Sequence, residues 1–245
     1  MKIAAVIPAR YESTRFRGKP LATICGKTML QWVYEAAKGC KLIDQIIIAT
    51  DNHEIRRAGE SFGAKVCMTD PAHATGTDRV AEAAGNLDAR IIVNIQGDEP
   101  LLTPEAISEA ITPLLEDEAI PLGTLKTRID DAGDLNNANM VKVVTDAHDF
   151  ALYFSRSPIP FIKNKNTAGP VFRHIGLYVF RKDFLLTFTR LPQTALEKAE
   201  SLEQLRALEH GYRIKAPTTS YKPVGVDTPE DLKRVENILR NKSKA

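Results

Sequence analysis

Four cations crowd one short stretch near the beginning of the sequence. Arg10, Arg15, Arg17 and Lys19 fall within ten residues of the segment Pro8-Ala9-Arg10-Tyr11-Glu12-Ser13-Thr14-Arg15-Phe16-Arg17-Gly18-Lys19-Pro20. Guanidinium forks and an ammonium gathered on one loop suit a polyanion such as a chain of phosphates. On an open surface the same residues would make only a solvated basic turn. Position favours the cradle. The loop directly follows the apolar run Ile3-Ala4-Ala5-Val6-Ile7, and open parallel sheets collect ligands beyond the carboxyl ends of their strands. Asp98 is placed in the same way, after Ile91-Ile92-Val93-Asn94-Ile95 and within Gln96-Gly97-Asp98-Glu99-Pro100. An acid there suits an Asx turn or a magnesium ligand. Mg²⁺ takes one or two carboxylates and fills its shell with substrate oxygens. A second acid is then expected, and Gly225-Val226-Asp227-Thr228-Pro229 offers Asp227 at another apparent strand-to-helix junction. Its other use would be to cap that helix.

Other chemistries are excluded. No G-x-G-x-x-G follows the first apolar run, so a nicotinamide site is unsupported. Gly26-Lys27-Thr28 resembles the end of a P-loop, but that motif needs glycine at position 21, where Leu21 stands. Those three residues read as a turn into a helix beginning near Thr28. Cys25, Cys40 and Cys67 show no C-x-x-C spacing and read as reduced thiols in a cytoplasmic protein. A net charge of +2 over 245 residues is far from that of a basic nucleic-acid binder. No apolar run approaches the roughly 20 residues of a membrane span, and no secretory leader is expected.

Three apolar runs, Ile3–Ile7, Ile46–Ala49 and Ile91–Ile95, lack in-out alternation, as strands covered on both faces do. Between them lie helical stripes. Leu30, Val33, Tyr34 and Ala37 form one. Ile107, Ala110, Ile111, Leu114 and Leu115 form another, which Pro113 should kink or shorten. Thr103-Pro104 and Thr228-Pro229-Glu230-Asp231 are helix starts. Asp51 is expected to cap a helix after the second strand. Residues 163–170 are expected to form a loop and residues 242–245 a frayed end. Alternation of strand and helix implies an α/β sheet with helices on both sides.

Taken together, Ile7-Pro8-Ala9-Arg10, Ser13-Thr14-Arg15, Gly18-Lys19-Pro20-Leu21 and Asn94-Ile95-Gln96-Gly97-Asp98-Glu99-Pro100 resemble the signatures of the sugar cytidylyltransferases. Further segments narrow the resemblance to the 3-deoxy-manno-octulosonate (KDO) cytidylyltransferases. They are Gly76-Thr77-Asp78-Arg79, Ala151-Leu152-Tyr153-Phe154-Ser155-Arg156, Arg173-His174-Ile175-Gly176-Leu177-Tyr178, Leu202-Glu203-Gln204-Leu205-Arg206 and Gly225 to Leu232. The match covers nearly the whole chain in order. It departs at Ala74-Thr75, where the family has a serine beside the glycine, and at Thr194 to Glu200, which lacks the family's proline.

The resemblance implies a single GT-A-like, Rossmann-related α/β domain. Its mixed, largely parallel central sheet is flanked by helices. Residues 1–130 and 205–245 would form the nucleotide part, and residues 131–204 a smaller sugar-binding and dimerisation part. It implies a homodimer that uses Mg²⁺ to convert CTP and a 2-keto-3-deoxy sugar acid into CMP-sugar and diphosphate for lipopolysaccharide synthesis. Ala9, Arg10, Arg15 and Lys19 would hold CTP, with Thr75, Gly76 and Arg79 near the base. Gln96, Arg156, His174, Tyr178, Glu203 and Gln204 would line the sugar pocket. Asp98 and Asp227 would hold the metal, with Arg15 and Lys19 offsetting charge during the reaction. From the residues alone, His174 reads equally as a satisfied strand histidine, and Glu203 and Gln204 as exposed positions of an ordinary helix. Two enzymatic alternatives stay open: the same transfer to the 8-amino sugar analogue, and a GT-A glycosyltransferase. A non-catalytic nucleotide sensor is the third.

Overall fold

The computed structural model describes residues 2–12, 16–164 and 169–242. Arg15, half of the expected 163–170 loop (residues 165–168) and the last three residues of the expected frayed end lie outside them. The chain packs as two compact units, Met1–Ser108 with Pro223–Ala245, and Glu109–Lys222.

The first unit begins with β1 (Ile3–Pro8), a short hairpin of β2 (Thr23–Ile24) and β3 (Lys27–Thr28), and α1 (Met29–Gly39). It continues through β4 (Gln45–Thr50), α2 (His53–Ser61), β5 (Lys65–Met68), α3 (Gly76–Gly85) and β6 (Ile91–Asn94). Four strands pair in parallel in the order β6-β1-β4-β5, with Ala5 opposite both Ile46 and Val93. Ala4 to Ile7 and Ile91 to Val93 are fully buried. Their unbroken apolarity follows from helices packed on the sheet, which remove the need for a polar face.

Helices α1, α2 and α3 each begin where a side chain takes up an orphan amide. Thr28 accepts from Gln31 N at 3.1 Å, and Thr75 and Asp78 form a reciprocal capping box. Asn52, not Asp51, caps α2, accepting from Glu54 N at 2.8 Å and Ile55 N at 3.1 Å. Asp51 stands one residue too early, and its carboxylate goes to Arg79 at 2.7 Å instead. The next helix, α4 (Pro104–Glu116), runs three residues past Pro113. The proline lies in the last turn, so the bond lost is its own, and Asp117 N still reaches Pro113 O at 3.1 Å.

The second unit contains β7 (Leu122–Arg128), α5 (Ala132–Leu135), β8 (Lys142–Thr145), β9 (Ala151–Ser155) and β10 (Phe172–Arg181). After these come α6 (Lys182–Phe188), α7 (Ala195–Glu200), α8 (Gln204–Glu209) and β11 (Ile214–Lys215). Here pairing is mostly antiparallel. β10 runs between β7 and β8, β8 pairs β9, and β11 lies parallel to β7. The β10–β7 register breaks between Ile175 and Val179, so three residues of β10 face the single residue Thr124. That is a β-bulge, a device that re-aims side chains.

The chain then returns to the first unit with α9 (Pro229–Lys242). Val226 and Val235 pack on Ile24 and Met29, all four fully buried, with Trp32, Leu232 and Leu239 around them. Burying four such side chains is worth about 1.5–3 kcal/mol each. This cluster fixes the segment carrying Asp227 against the hairpin that follows Lys19.

Candidate active site

Of the cations and acids singled out in the sequence, Lys19, Asp98 and Asp227 converge in the first unit, with Arg10 on the same cavity. Lys19 Nζ lies 2.8 Å from Asp98 Oδ2 and 3.3 Å from Asp227 Oδ1. The Lys19 side chain is 15% exposed, whereas those of Asp98 and Asp227 are 36% and 48% exposed. An ammonium thus sits sheltered between two carboxylates that open outward. Around them is a cavity of about 390 Å³, lined also by Ala9, Arg10, Gln96 and Gly97.

Local structure explains this convergence. Ala9 N donates to Ala49 O at 2.9 Å and carries the β1 path one residue further. The loop closes where Gly18 N donates to Tyr11 O at 2.8 Å, and Gly18 there has φ +70. Glycine adopts that left-handed conformation without strain, and the single 3₁₀ turn Lys19–Leu21 follows. A Cβ on Gly97 would lie 3.3 Å from Pro8 O, so the two strand ends approach closely because residue 97 has no side chain. Val226 N donates to Asp98 O at 3.0 Å, binding the two acid-bearing segments together. Asp227 does not cap α9. Thr228 accepts from Asp231 N, and Asp231 accepts from Asp227 N and Thr228 N. The Asp227 carboxylate turns to Lys19.

Arg10 is exposed at the cavity. Arg17 pairs at 3.1 Å with Glu12, another cavity residue that sequence reasoning passed over. Gln96, expected on the sugar side, lines this same cavity, its Nε2 donating to Asn94 Oδ1 at 3.2 Å. Thr75 and Gly76 start α3, Gly76 beside the Pro8 ring. Arg79 is fully buried and donates to Asp51 and to the Thr69 hydroxyl, so it braces the ends of β4 and β5.

The remaining expected residues belong to the second unit. His174 is 8% exposed on β10. Its ring meets Phe154 edge-on at 4.9 Å and Tyr178 at 5.4 Å. Burial, aided by the Arg173 charge, pushes its pKa down to about 3, so the ring is neutral. Burial and the Glu203 charge push the Tyr178 phenol up. Gln204 is 4% exposed and Glu203 half-buried, 3.7 Å from Arg206. These are not the exposed positions of an ordinary surface helix; the turn at Ser201, with φ +50, directs the chain inward there. Arg156 spends its guanidinium on three carbonyls, those of Glu200, Ala138 and Ser201, at 2.6, 3.1 and 3.3 Å. Glu200 in turn accepts from Ser155 Oγ and Arg156 N, and these bonds outweigh its burial to hold its pKa low.

The family model for cytidylyltransferases matches residues 4–214. The chain belongs to the cytidylyltransferase family. Among its relatives, the 3-deoxy-manno-octulosonate cytidylyltransferases of Syntrophotalea carbinolica and Solibacter usitatus are each 54% identical. Those alignments cover 98% of this chain and 99% and 95% of the relatives. A solved CMP:2-keto-3-deoxy-manno-octonic acid synthetase complexed with CTP superposes with TM-score 0.95 at 39% identity, over 99% of this chain and all of that one. A 4-diphosphocytidyl-2C-methyl-D-erythritol synthase from Anaerococcus prevotii, 17% identical with TM-score 0.63 over 98% of this chain and 96% of its own, shares the fold. The α/β fold class expected from the sequence therefore holds along the whole chain.

For this cytidylyltransferase, sequence reasoning missed residues that act through others. Asn94 beneath Gln96 and Glu200 beneath Arg156 are polar residues beside recognised ones. Thr124, opposite the bulge, has no signal in the strand sequence Leu-Gly-Thr-Leu-Lys-Thr-Arg.

Proposed function

We propose that this cytidylyltransferase joins CMP to a 3-deoxy-manno-octulosonate-type sugar acid. The anomeric hydroxyl oxygen bonds to the α-phosphorus of CTP, the bond to the β-phosphate bridge breaks, diphosphate departs, and the hydroxyl proton is lost to solvent. The observation that carries the reading is the Lys19–Asp98–Asp227 triad in an open cavity beside Arg10, within a chain so similar to a CTP-bound synthetase.

Lys19 and Arg10 would take the charge of the triphosphate, an electrostatic task done by preorganised donors. Arg15 is assigned there by resemblance. Magnesium fits the two carboxylates: Asp98 and Asp227 offer hard oxygens and already converge on one positive charge, that of Lys19. Bound there, the ion would neutralise phosphate charge and lower the pKa of the sugar hydroxyl. Among the described residues no group of three or more His, Cys, Asp or Glu could hold a metal, so the remaining ligands would be substrate oxygens and water. In the second unit His174, Tyr178, Glu203 and Gln204 would hold the sugar acid. Arg156, committed to three carbonyls, would act there chiefly by shaping its wall. Thr75, Gly76 and Arg79 would form the base end, Arg79 from beneath.

The names of the similar proteins favour the 8-hydroxy sugar over its 8-amino analogue. A homodimer in the cytoplasm is part of this reading, supported by the resemblance. No helix of the described residues is long and apolar enough to cross a membrane, and Cys25, Cys40 and Cys67 are free thiols. The test is diphosphate release from CTP and Mg²⁺ with KDO, its 8-amino analogue and sialic acid in parallel. Release with KDO is expected. Release with none of the three overturns the reading.

A further inference from the structure

The β10 bulge brings together two side chains that a regular strand would separate. At a rise of about 3.3 Å per residue, positions i and i+4 stand about 13 Å apart. The rings of His174 and Tyr178 are 5.4 Å apart. One residue of β7 holds the bulge. Thr124 Oγ1 lies 2.8 Å from Ile175 O, 2.9 Å from Leu177 O and 3.0 Å from His174 Nε2, all in the interior. Thr124 is fully buried.

Counting protons assigns the imidazole. A threonine hydroxyl has one hydrogen and two lone pairs, and a carbonyl oxygen can only accept. Two carbonyls within 2.9 Å claim that hydrogen. Oγ1 is left as an acceptor, so the hydrogen between Thr124 and His174 must come from Nε2. A neutral imidazole that donates from Nε2 carries a lone pair on Nδ1. Thr124 is the one side-chain hydrogen-bond partner of His174 among the described residues.

We infer that Thr124 is a positioning residue: its hydroxyl closes the β10 bulge and fixes His174 as the Nε2–H tautomer, which presents an Nδ1 lone pair to a hydroxyl hydrogen of the acceptor sugar. The identity of that ligand rests on the proposed sugar-acid transfer; the tautomer and the bulge do not. His174 thereby recognises a neutral hydroxyl and takes no part as a cation for the carboxylate. The low pKa of the buried ring agrees with this.

The test has two arms. Histidine ¹⁵N spectra of the full chain at pH 7, with the His174 signals assigned by their loss in His174→Gln, are expected to show a protonated Nε2 and an unprotonated Nδ1. A protonated Nδ1, or an imidazolium, overturns the inference whether or not any sugar is turned over. In the second arm, Thr124→Val keeps the shape and removes the hydroxyl, while Thr124→Ser restores it. Thr124→Val is expected to raise KM for the sugar acid by about five- to tenfold, the effect of one misplaced hydrogen bond, with KM for CTP unchanged, and Thr124→Ser to stay near wild type. An unchanged sugar KM in a folded Thr124→Val, or equal losses for both substrates, overturns it. Should Thr124→Val not fold, the wild-type spectrum decides. Should wild type turn over none of the sugars, the function reading fails while the spectrum still judges Thr124.

Discussion

Lys19 reaches Asp98 across 79 positions of sequence, with Nζ 2.8 Å from Oδ2, and the same ammonium touches Asp227. One positive charge therefore serves two carboxylates, and the three side chains divide the work of the site. Replacing Lys19 by Met is expected to raise KM for CTP by about 10- to 100-fold, the worth of a charged hydrogen bond of about 1.5–3 kcal/mol. Replacing Asp98 by Asn is expected to lower kcat by about 100-fold or more, since it removes one of the two carboxylates proposed to hold magnesium against the phosphates. Steady-state diphosphate release measures both. Near-normal kcat in Asp98→Asn removes that carboxylate from the chemistry.

The proposed metal dependence is tested on the same pair. Chelation with EDTA is expected to stop diphosphate release and added Mg²⁺ to restore it. Asp227→Asn is expected to need about tenfold more Mg²⁺ for half-maximal rate, having lost one of two charged ligands. Activity that survives exhaustive chelation contradicts the assignment.

Arg79 offers a test of structure against binding. It is fully buried and tied to Asp51 and Thr69. Removing one partner of a buried ion pair costs about 3–5 kcal/mol, and lysine cannot copy the guanidinium fork. Arg79→Met is expected to lose about that much stability in urea titrations, and Arg79→Lys to recover only part of it. Unaltered stability with a raised KM for CTP would move Arg79 from support to direct contact.

A buried pair in the second unit gives a pH signature. Glu197 and Arg206 are 6% and 5% exposed and meet at 2.5 Å. Burial alone would raise the Glu197 pKa, but bonds from Arg206 and Thr194 N hold it below its usual 4.5. A carboxylate whose folded pKa is depressed contributes stability that is full above its unfolded pKa and is lost as pH falls through the folded one. Glu197→Ala is expected to cost about 3–5 kcal/mol at pH 7. The gap from wild type should hold down to about pH 5, then shrink as pH falls below 4.5. A gap independent of pH between 7 and 3 sinks the ion-pair account. The pair also explains how α7 manages without the family's proline: Glu197 accepts from Thr194 N and anchors the helix start.

The phosphate end of the site was legible because its residues come in contiguous runs after buried strands. The run Ile3 to Ile7 marks β1, so Arg10 and Lys19 fall at its carboxyl end without further information. Asp98 is placed by Ile91 to Ile95 in the same way. The sugar end was named only through resemblance, because its geometry depends on long-range events. No local pattern announces that three residues of β10 face Thr124, that Gln204 is buried, or that Arg156 bonds three carbonyls. Asp51 shows the limit at short range: Asn52 beside it competes for the cap and wins by one residue of reach.

Asp227 arrives with the segment after Pro223 that rejoins the first unit and packs α9 on the hairpin. Synthesis runs from the amino terminus, so the ribosome makes Lys19 and Asp98 well before Asp227. A nascent chain that ends before Pro223 holds the ammonium and a single acid. The site therefore lacks one acid until that segment has been made, and a chain that stops short of it has no matched pair of carboxylates with which to engage the nucleotide pool.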